Sequence, residues 1–131
     1  MAGELILIVE DNEKNLKLVR DVLQFSKYRT VEATTAEKGL EIARVERPAL
    51  ILMDIHLPGM DGITALRSLR GDQLTARIPE IAVTASAMTF GRKKALEAGF
   101  EGYQSKPISV KEFLEEIRRV LASCSDNPAA G

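Results

Sequence analysis

Glu10, Asp11, Asp54, Thr84 and Lys106 are the side chains of this sequence best suited to shared chemistry. Each directly follows a short run of strand-like residues, mostly apolar. Glu10 and Asp11 follow Leu5–Val9, Asp54 follows residues 50–53, Thr84 follows residues 81–83, and Lys106 follows Gly102–Ser105. If these runs are parallel strands, three carboxylates, a hydroxyl and an ammonium meet at one edge of a sheet. At roughly 5 Å and an effective dielectric of about 20, each pair of like charges there costs on the order of 3 kcal/mol. Such a cluster needs a cation, or one carboxylate must stay protonated. Oxygen donors without His or Cys favour Mg²⁺, with Asp11 and Asp54 as direct ligands, Glu10 acting through a water and the backbone carbonyl of His56 adding an oxygen. A metal beside Asp54 prepares it as a nucleophile toward a phosphoryl group. Lys106 and Thr84 then serve the remaining phosphoryl oxygens. The chain has no GxxxxGKS-type loop, so the phosphoryl donor must come from elsewhere.

The elements that must position these residues alternate along the chain. Residues 5–9, 28–33, 49–53, 80–83 and 102–105 read as strands. Between and after them lie amphipathic segments. The first is capped by Asn12 and carries Leu16, Val19 and Leu23, widened by Leu18, Val22 and Phe25. The second opens with a capping box of Thr34 and Glu37 and ends near Pro48. A loop over residues 57–62, dense in Pro58, Gly59, Asp61 and Gly62, leads into a third with Ile63, Leu66 and Leu69, running toward Gly71. The fourth spans about 87–98 and closes at Gly99. The last is capped by Ser109 and carries Val110, Phe113, Leu114, Ile117 and Leu121. Five such alternations imply an α/β fold: a doubly wound parallel sheet with helices on both faces, ligands binding beyond the carboxyl ends of the strands. Residues 3–122 form the expected single domain and 123–131 a flexible tail.

Composition narrows the function. The chain has 131 residues, 45% hydrophobic and 28% charged, enough for one domain with a real core. A net charge of −1 gives no global pull toward nucleic acid or acidic lipid. The single Cys124 excludes an internal disulfide. No stretch reads as a membrane span or a secretory signal, so a cytoplasmic location is expected.

Four segments, ILIVEDNEKN, LILMDIHLPGMDG, IAVTASA and GYQSKPIS, together resemble the response-regulator receiver domains of two-component signalling. The resemblance covers roughly Leu5 to Leu121. It implies a flavodoxin-like sheet of order 2-1-3-4-5 with five helices. It also implies that Glu10 and Asp11 are the metal-binding acidic pair, Asp54 the phosphoacceptor, Thr84 the switch hydroxyl and Lys106 the phosphate-sensing lysine. Pro107 would follow a cis peptide bond and Tyr103 would be the switch aromatic. The family function is to receive a phosphoryl group from a histidine kinase or phosphotransfer protein and to change protein contacts, here through the fourth helix, fifth strand and fifth helix. The chain is similar to single-domain, DivK-type regulators, acting as a monomer or weak dimer on a downstream protein target, without an output domain for DNA. It is expected to be no enzyme beyond its own phosphorylation and dephosphorylation.

Other readings are weaker. The chain could be the receiver of a hybrid kinase. A haloacid-dehalogenase phosphatase also uses Asp, Thr and Lys, but it needs an acid/base Asp two residues after the nucleophile, where this chain has His56. A flavodoxin-type FMN loop is rich in Ser, Thr and Gly, whereas EDNEKN would repel phosphate. A phosphate-independent interaction module leaves the five-residue set unexplained. Taken singly, several residues have plainer readings: Tyr103 as a partly surface-packed ring, His56 as a side chain at the crevice mouth that with Ser86 tunes water access, and Arg92, Lys93 and Lys94 as a solvated helix face.

Overall fold

The most apolar strand, β3 (Leu50–Asp54), is buried along its whole length and lies at the centre of the sheet. This computed structural model describes residues 3–57, 59–85 and 91–125, with side chains described as far as residue 123. The strands β1 (Leu5–Val9), β2 (Arg29–Ala33), β3, β4 (Glu80–Thr84) and β5 (Gly102–Ser105) alternate with helices α1 (Glu13–Phe25), α2 (Ala36–Glu46), α3 (Gly62–Arg70), α4 (Arg92–Ala98) and α5 (Val110–Ser125). All pairings are parallel and the order is β2-β1-β3-β4-β5. The sheet is thus the doubly wound one expected, and its order reverses between β1 and β3.

Alternation along the strands divides the core in two. Ile6, Ile8, Leu50, Leu52, Ile81 and Val83 face α1 and α5, meeting Leu16, Val19, Leu23, Phe113 and Ile117. Leu7, Val9, Ile51, Met53 and Ala82 face the other layer, meeting Ala36, Ala43, Leu66, Leu69 and Ala95. The small residues of α2 let that helix lie close to the sheet. A Cβ on Gly39 would come within 2.8 Å of a Val9 methyl carbon.

Several local expectations are corrected. The N-cap of α2 is Thr35, not Thr34; its hydroxyl accepts from the Lys38 N–H at 3.1 Å. Starting the helix one residue later turns Ala36, Gly39 and Ala43 to the core, and it places Lys38 where a capping box needs Glu. Phe25 and Leu18 do not widen the core stripe of α1. Phe25 is 89% exposed, because two residues past Leu23 is the far side of a helix. Val110 is also exposed, and Val120 joins Phe113 and Ile117 in its place. Asp54 ends β3 rather than following it. The fifth helix continues to Ser125, so the segment expected as a tail begins as helix. The start of the fourth helix near Ala87, the turn role of Pro58, the positioning of Ser86, the thiol of Cys124 and the rest of the tail lie outside the described residues.

Asn12 and Gly99 cap α1 and α4 as read, and the structure adds Asp61, read only as a loop residue, as the N-cap of α3. Asn12 accepts from the Asn15 N–H at 3.1 Å, Asp61 from the Thr64 N–H at 2.8 Å, and Gly99 ends α4 at φ +115°. The Ser109 carbonyl accepts from the Phe113 N–H at 2.8 Å, forming the first turn of α5.

Gly62 is held by a close approach. It opens α3 directly against the end of β3, and a Cβ there would stand 2.6 Å from the Asp54 carbonyl oxygen and 2.9 Å from the Ile55 Cα. Both obstacles are backbone, so Gly62→Ala should cost roughly 1–3 kcal/mol through displacement of the loop. Gly71→Ala, whose nearest obstacle is 3.5 Å away, should fall within about 0.5 kcal/mol of the parent. Denaturant titration of the two variants checks the contrast.

Glu80 is an anomaly within β4. Its side chain is fully buried and neither carboxylate oxygen has a hydrogen-bond partner among the described residues. Its backbone N–H donates to Glu101 Oε1 at 2.8 Å, and Arg70 meets that same oxygen at 2.7 Å. Burial pushes the Glu80 carboxyl up to about 8, with Arg70 pulling it down and Glu101 pushing it further up. Between the ordinary glutamate range and pH 8 the native state therefore holds a proton that the unfolded chain has released, so stability falls as pH rises through that window. The loss by pH 7 is roughly 3 kcal/mol. Glu80→Gln should remove this slope and be the more stable protein at pH 8, as urea titrations of both proteins at pH 5 and pH 8 will test.

Candidate functional site

The carboxyl ends of β1, β3, β4 and β5 bring the predicted residues together. Glu10 follows β1, and both it and Asp54 are buried. Asp11, the next residue, is exposed at the mouth. One carboxylate oxygen from each of the three lies within 4.8 Å of the others. The site sits at the β1–β3 reversal of strand order, where doubly wound sheets open a crevice.

Each buried carboxylate is oriented by backbone. The Asn12 N–H donates to Glu10 Oε2 at 3.1 Å, and the His56 N–H donates to Asp54 Oδ1 at 3.1 Å. The remaining oxygens share one cation. Lys106 Nζ stands 2.8 Å from Glu10 Oε1 and 3.3 Å from Asp54 Oδ2, with only 14% of its side chain exposed. Lys106 is placed by its backbone N–H, which donates to the Thr84 carbonyl at 2.7 Å, and the peptide bond to Pro107 is cis, as the resemblance implies. Thr84 is fully buried.

Burial pushes the Glu10 carboxyl up; the Lys106 ammonium pulls it back, and hydrogen bonding and repulsion from Asp54 push it up again, leaving it raised. For Lys106, burial acts to lower the ammonium, but Glu10 and Asp54 outweigh it and the net shift is upward. The lysine therefore stays charged at neutral pH. Three carboxylates against one ammonium leave an excess of negative charge that a small divalent cation would offset. Closely spaced carboxylates without His or Cys fit Mg²⁺, which takes one or two carboxylates and keeps much of its water.

His56 is exposed, as expected, and its described contact to the site is through backbone. Tyr103 differs from the expectation of a partly surface-packed ring: it is 8% exposed, and its phenol oxygen is buried with no hydrogen-bond partner among the described residues. Sequence reading missed two further residues. Arg92 is not simply part of a solvated basic face; its guanidinium lies 5.7 Å from the centre of the Tyr103 ring and its Nη1 is 3.2 Å from Glu116 Oε2. Glu116, buried on α5, accepts from the Tyr103 N–H at 2.8 Å and pairs with Arg119 at 3.0 Å. The available signal was Glu116 on the same helix face as the core residues Phe113 and Val120, where a charge needs partners.

Comparisons with known proteins agree with this arrangement. Residues 6–118 match the response regulator receiver domain family. Among curated proteins, the polar-differentiation response regulator DivK of Brucella anthropi is 45% identical over 116 residues, spanning 88% of this chain and 94% of that protein. The receiver domain of sensor histidine kinase PA1611 from Pseudomonas aeruginosa, crystallised with a magnesium ion coordinated in its active site cleft, superimposes with a TM-score of 0.85 at 34% identity, covering 92% of this chain and 99% of that one. A CheY-like receiver domain protein from Methanospirillum hungatei gives a TM-score of 0.85 at 31% identity, over 95% and 98% of the two chains. With a family match that spans most of its length and a doubly wound sheet that gathers its carboxylates beside one lysine, this chain belongs to the response-regulator receiver domains of two-component signalling.

Proposed function

We propose that Asp54 is the phosphoacceptor of this receiver domain, and that Glu10, Asp11, Thr84 and Lys106 serve it. The observation that carries this reading is the position of Lys106 Nζ, in contact with both Asp54 and Glu10 at the one edge where Asp11 also stands. Asp11 and Asp54 would hold Mg²⁺ directly, Glu10 through water, and the carbonyl of His56 would add a further oxygen. When bound, the ion neutralises charge shared between the Asp54 oxygen and the incoming phosphoryl group.

Asp54 is held ready by its backbone contact from His56 and by Lys106. Its free carboxylate attacks the phosphorus of a phosphohistidine on a kinase or phosphotransfer protein. An O–P bond forms, the P–N bond breaks, and the leaving imidazole takes a proton. Lys106 loses its pairing with the carboxylate and takes up a phosphoryl oxygen. Thr84, buried at the end of the neighbouring strand, supplies a hydroxyl for another. The product replaces a single negative charge with about −1.5 to −2. Drawing Thr84 toward those oxygens changes the space beside Tyr103, and α4 and β5 shift with it. The readout is a change in protein contacts at the α4–β5–α5 face. The domain works in the cytoplasm, as a monomer or weak dimer, on a protein target rather than on DNA. Among the described residues no helix is long and apolar enough to cross a membrane.

Addition of Mg²⁺ and beryllofluoride should shift backbone resonances around residues 84 and 103, and Asp54→Asn should abolish that response; an unchanged response in the variant would refute the assignment. Glu10→Gln should keep the fold while weakening Mg²⁺ by roughly 10–100-fold, the usual effect of removing a group that acts through a ligand water. A Mg²⁺ titration followed by NMR measures it.

A further inference from the structure

The free edge of the sheet next to Tyr103 is closed by side chains. Among the described strands β5 pairs only with β4. The Tyr103 N–H does not enter that pairing; it donates to Glu116 Oε2 of α5 at 2.8 Å. The Tyr103 carbonyl has the Arg92 Nη2 of α4 at 3.5 Å, a long contact. Arg92 and Glu116 then meet each other at 3.2 Å, so the pair crosses the strand edge from one helix to the other. The same guanidinium covers the Tyr103 ring at 5.7 Å, within range of a cation–π attraction.

Two features show that the sequence makes room for this arrangement. A Cβ on Gly102 would stand 2.7 Å from Glu116 Oε2, so a glycine there lets the carboxylate reach the strand. Glu116 is also held independently of Arg92, by Arg119 at 3.0 Å, while the Arg119 Nη2 donates to the Glu101 carbonyl at 3.1 Å. Glu116 is thus a fixed anchor on α5, and Arg92, at the first turn of α4, is the half-exposed partner that can let go.

We propose that the Arg92–Glu116 pair is a strap that holds the Tyr103 ring in its buried position and ties that position to α4. The idea rests on the proposed role of Tyr103 and gives that role a control: Arg92 is a positioning residue that sets how much of the time the ring is buried. Any event that moves the start of α4 must release the strap, and release both frees the ring and uncovers the Tyr103 carbonyl, while Glu116 keeps the Tyr103 N–H. By linkage, an event at the phosphoacceptor end that shifts α4 works against the strap, and loss of the strap favours that event by the same factor.

The chain has two tyrosines and no tryptophan, so Tyr28→Phe leaves Tyr103 as the sole strong emitter. In that background, Arg92→Gln should raise acrylamide quenching of Tyr103 and shift the ring's buried-to-exposed ratio by about fivefold, the scale of a half-exposed cation–π contact with an ion pair. Arg92→Lys, which keeps the cation, should restore most of the shielding. The midpoint of urea denaturation should change little, because Glu116 keeps Arg119. With Mg²⁺ present, Arg92→Gln should also tighten beryllofluoride by up to the same fivefold, because the shift of α4 no longer has to break the strap. Unchanged quenching in a folded Arg92→Gln protein would overturn the strap, as would equal quenching in the Gln and Lys variants. Quenching needs no phosphoryl mimic, so absence of a beryllofluoride response in the parent would refute the phosphoacceptor reading while leaving the strap to be judged on quenching alone.

Discussion

One ammonium, that of Lys106, lies between two buried carboxylates at the carboxyl ends of different strands, and the rest of the site is arranged around it. Without it, Glu10 and Asp54 would be two desolvated anions facing each other, an arrangement that folding could tolerate only by protonating one. With it, both remain available as oxygen donors. The lysine can reach both because β5 and the strand that ends in Asp54 run parallel on either side of β4, with their carboxyl ends at the same edge. The topology of the sheet is therefore an electrostatic requirement of the site as much as a packing solution.

The division of the core into two layers serves the same end. β3 is buried on both faces, so Asp54 at its tip is held on a rigid support. Gly62 then brings α3 against that tip more closely than any larger residue would allow. The loop after β1 supplies the exposed member, Asp11, and next to it Glu10, while the last residue of β3 supplies Asp54. A site built this way has a rigid base and an open mouth, which suits a phosphoryl donor carried by another protein.

Much of this was legible in the sequence because strand-like runs and their terminal polar residues are read together. Leu5–Val9 followed by Glu10 and Asp11, or 50–53 followed by Asp54, announces both a strand and a site. What escaped the reading has physical reasons. Thr34 and Thr35 are equally good caps, and the choice between them was made by Ala36, Gly39 and Ala43 turning to the sheet. Phe25 looks like core by type but falls on the wrong side of its helix. Glu80 looks like a polar strand start; its full burial beside Arg70 and Glu101, which lie 10 and 21 residues away, is recorded by no local pattern. Arg92 and Glu116 are 24 residues apart, and their meeting depends on two helices flanking one edge strand.

The seven-residue α4 has a single buried residue among those described, Ala95. Sliding it along the sheet exposes little apolar surface, so its displacement lies at the low end of the local opening free energies of a folded domain. The central strands, buried throughout, lie at the high end. Amide protons in α4 would then exchange through small local excursions while those in β3 wait for global unfolding. Such a molecule can send a message by moving one helix and still keep, undisturbed, the framework on which the message was written.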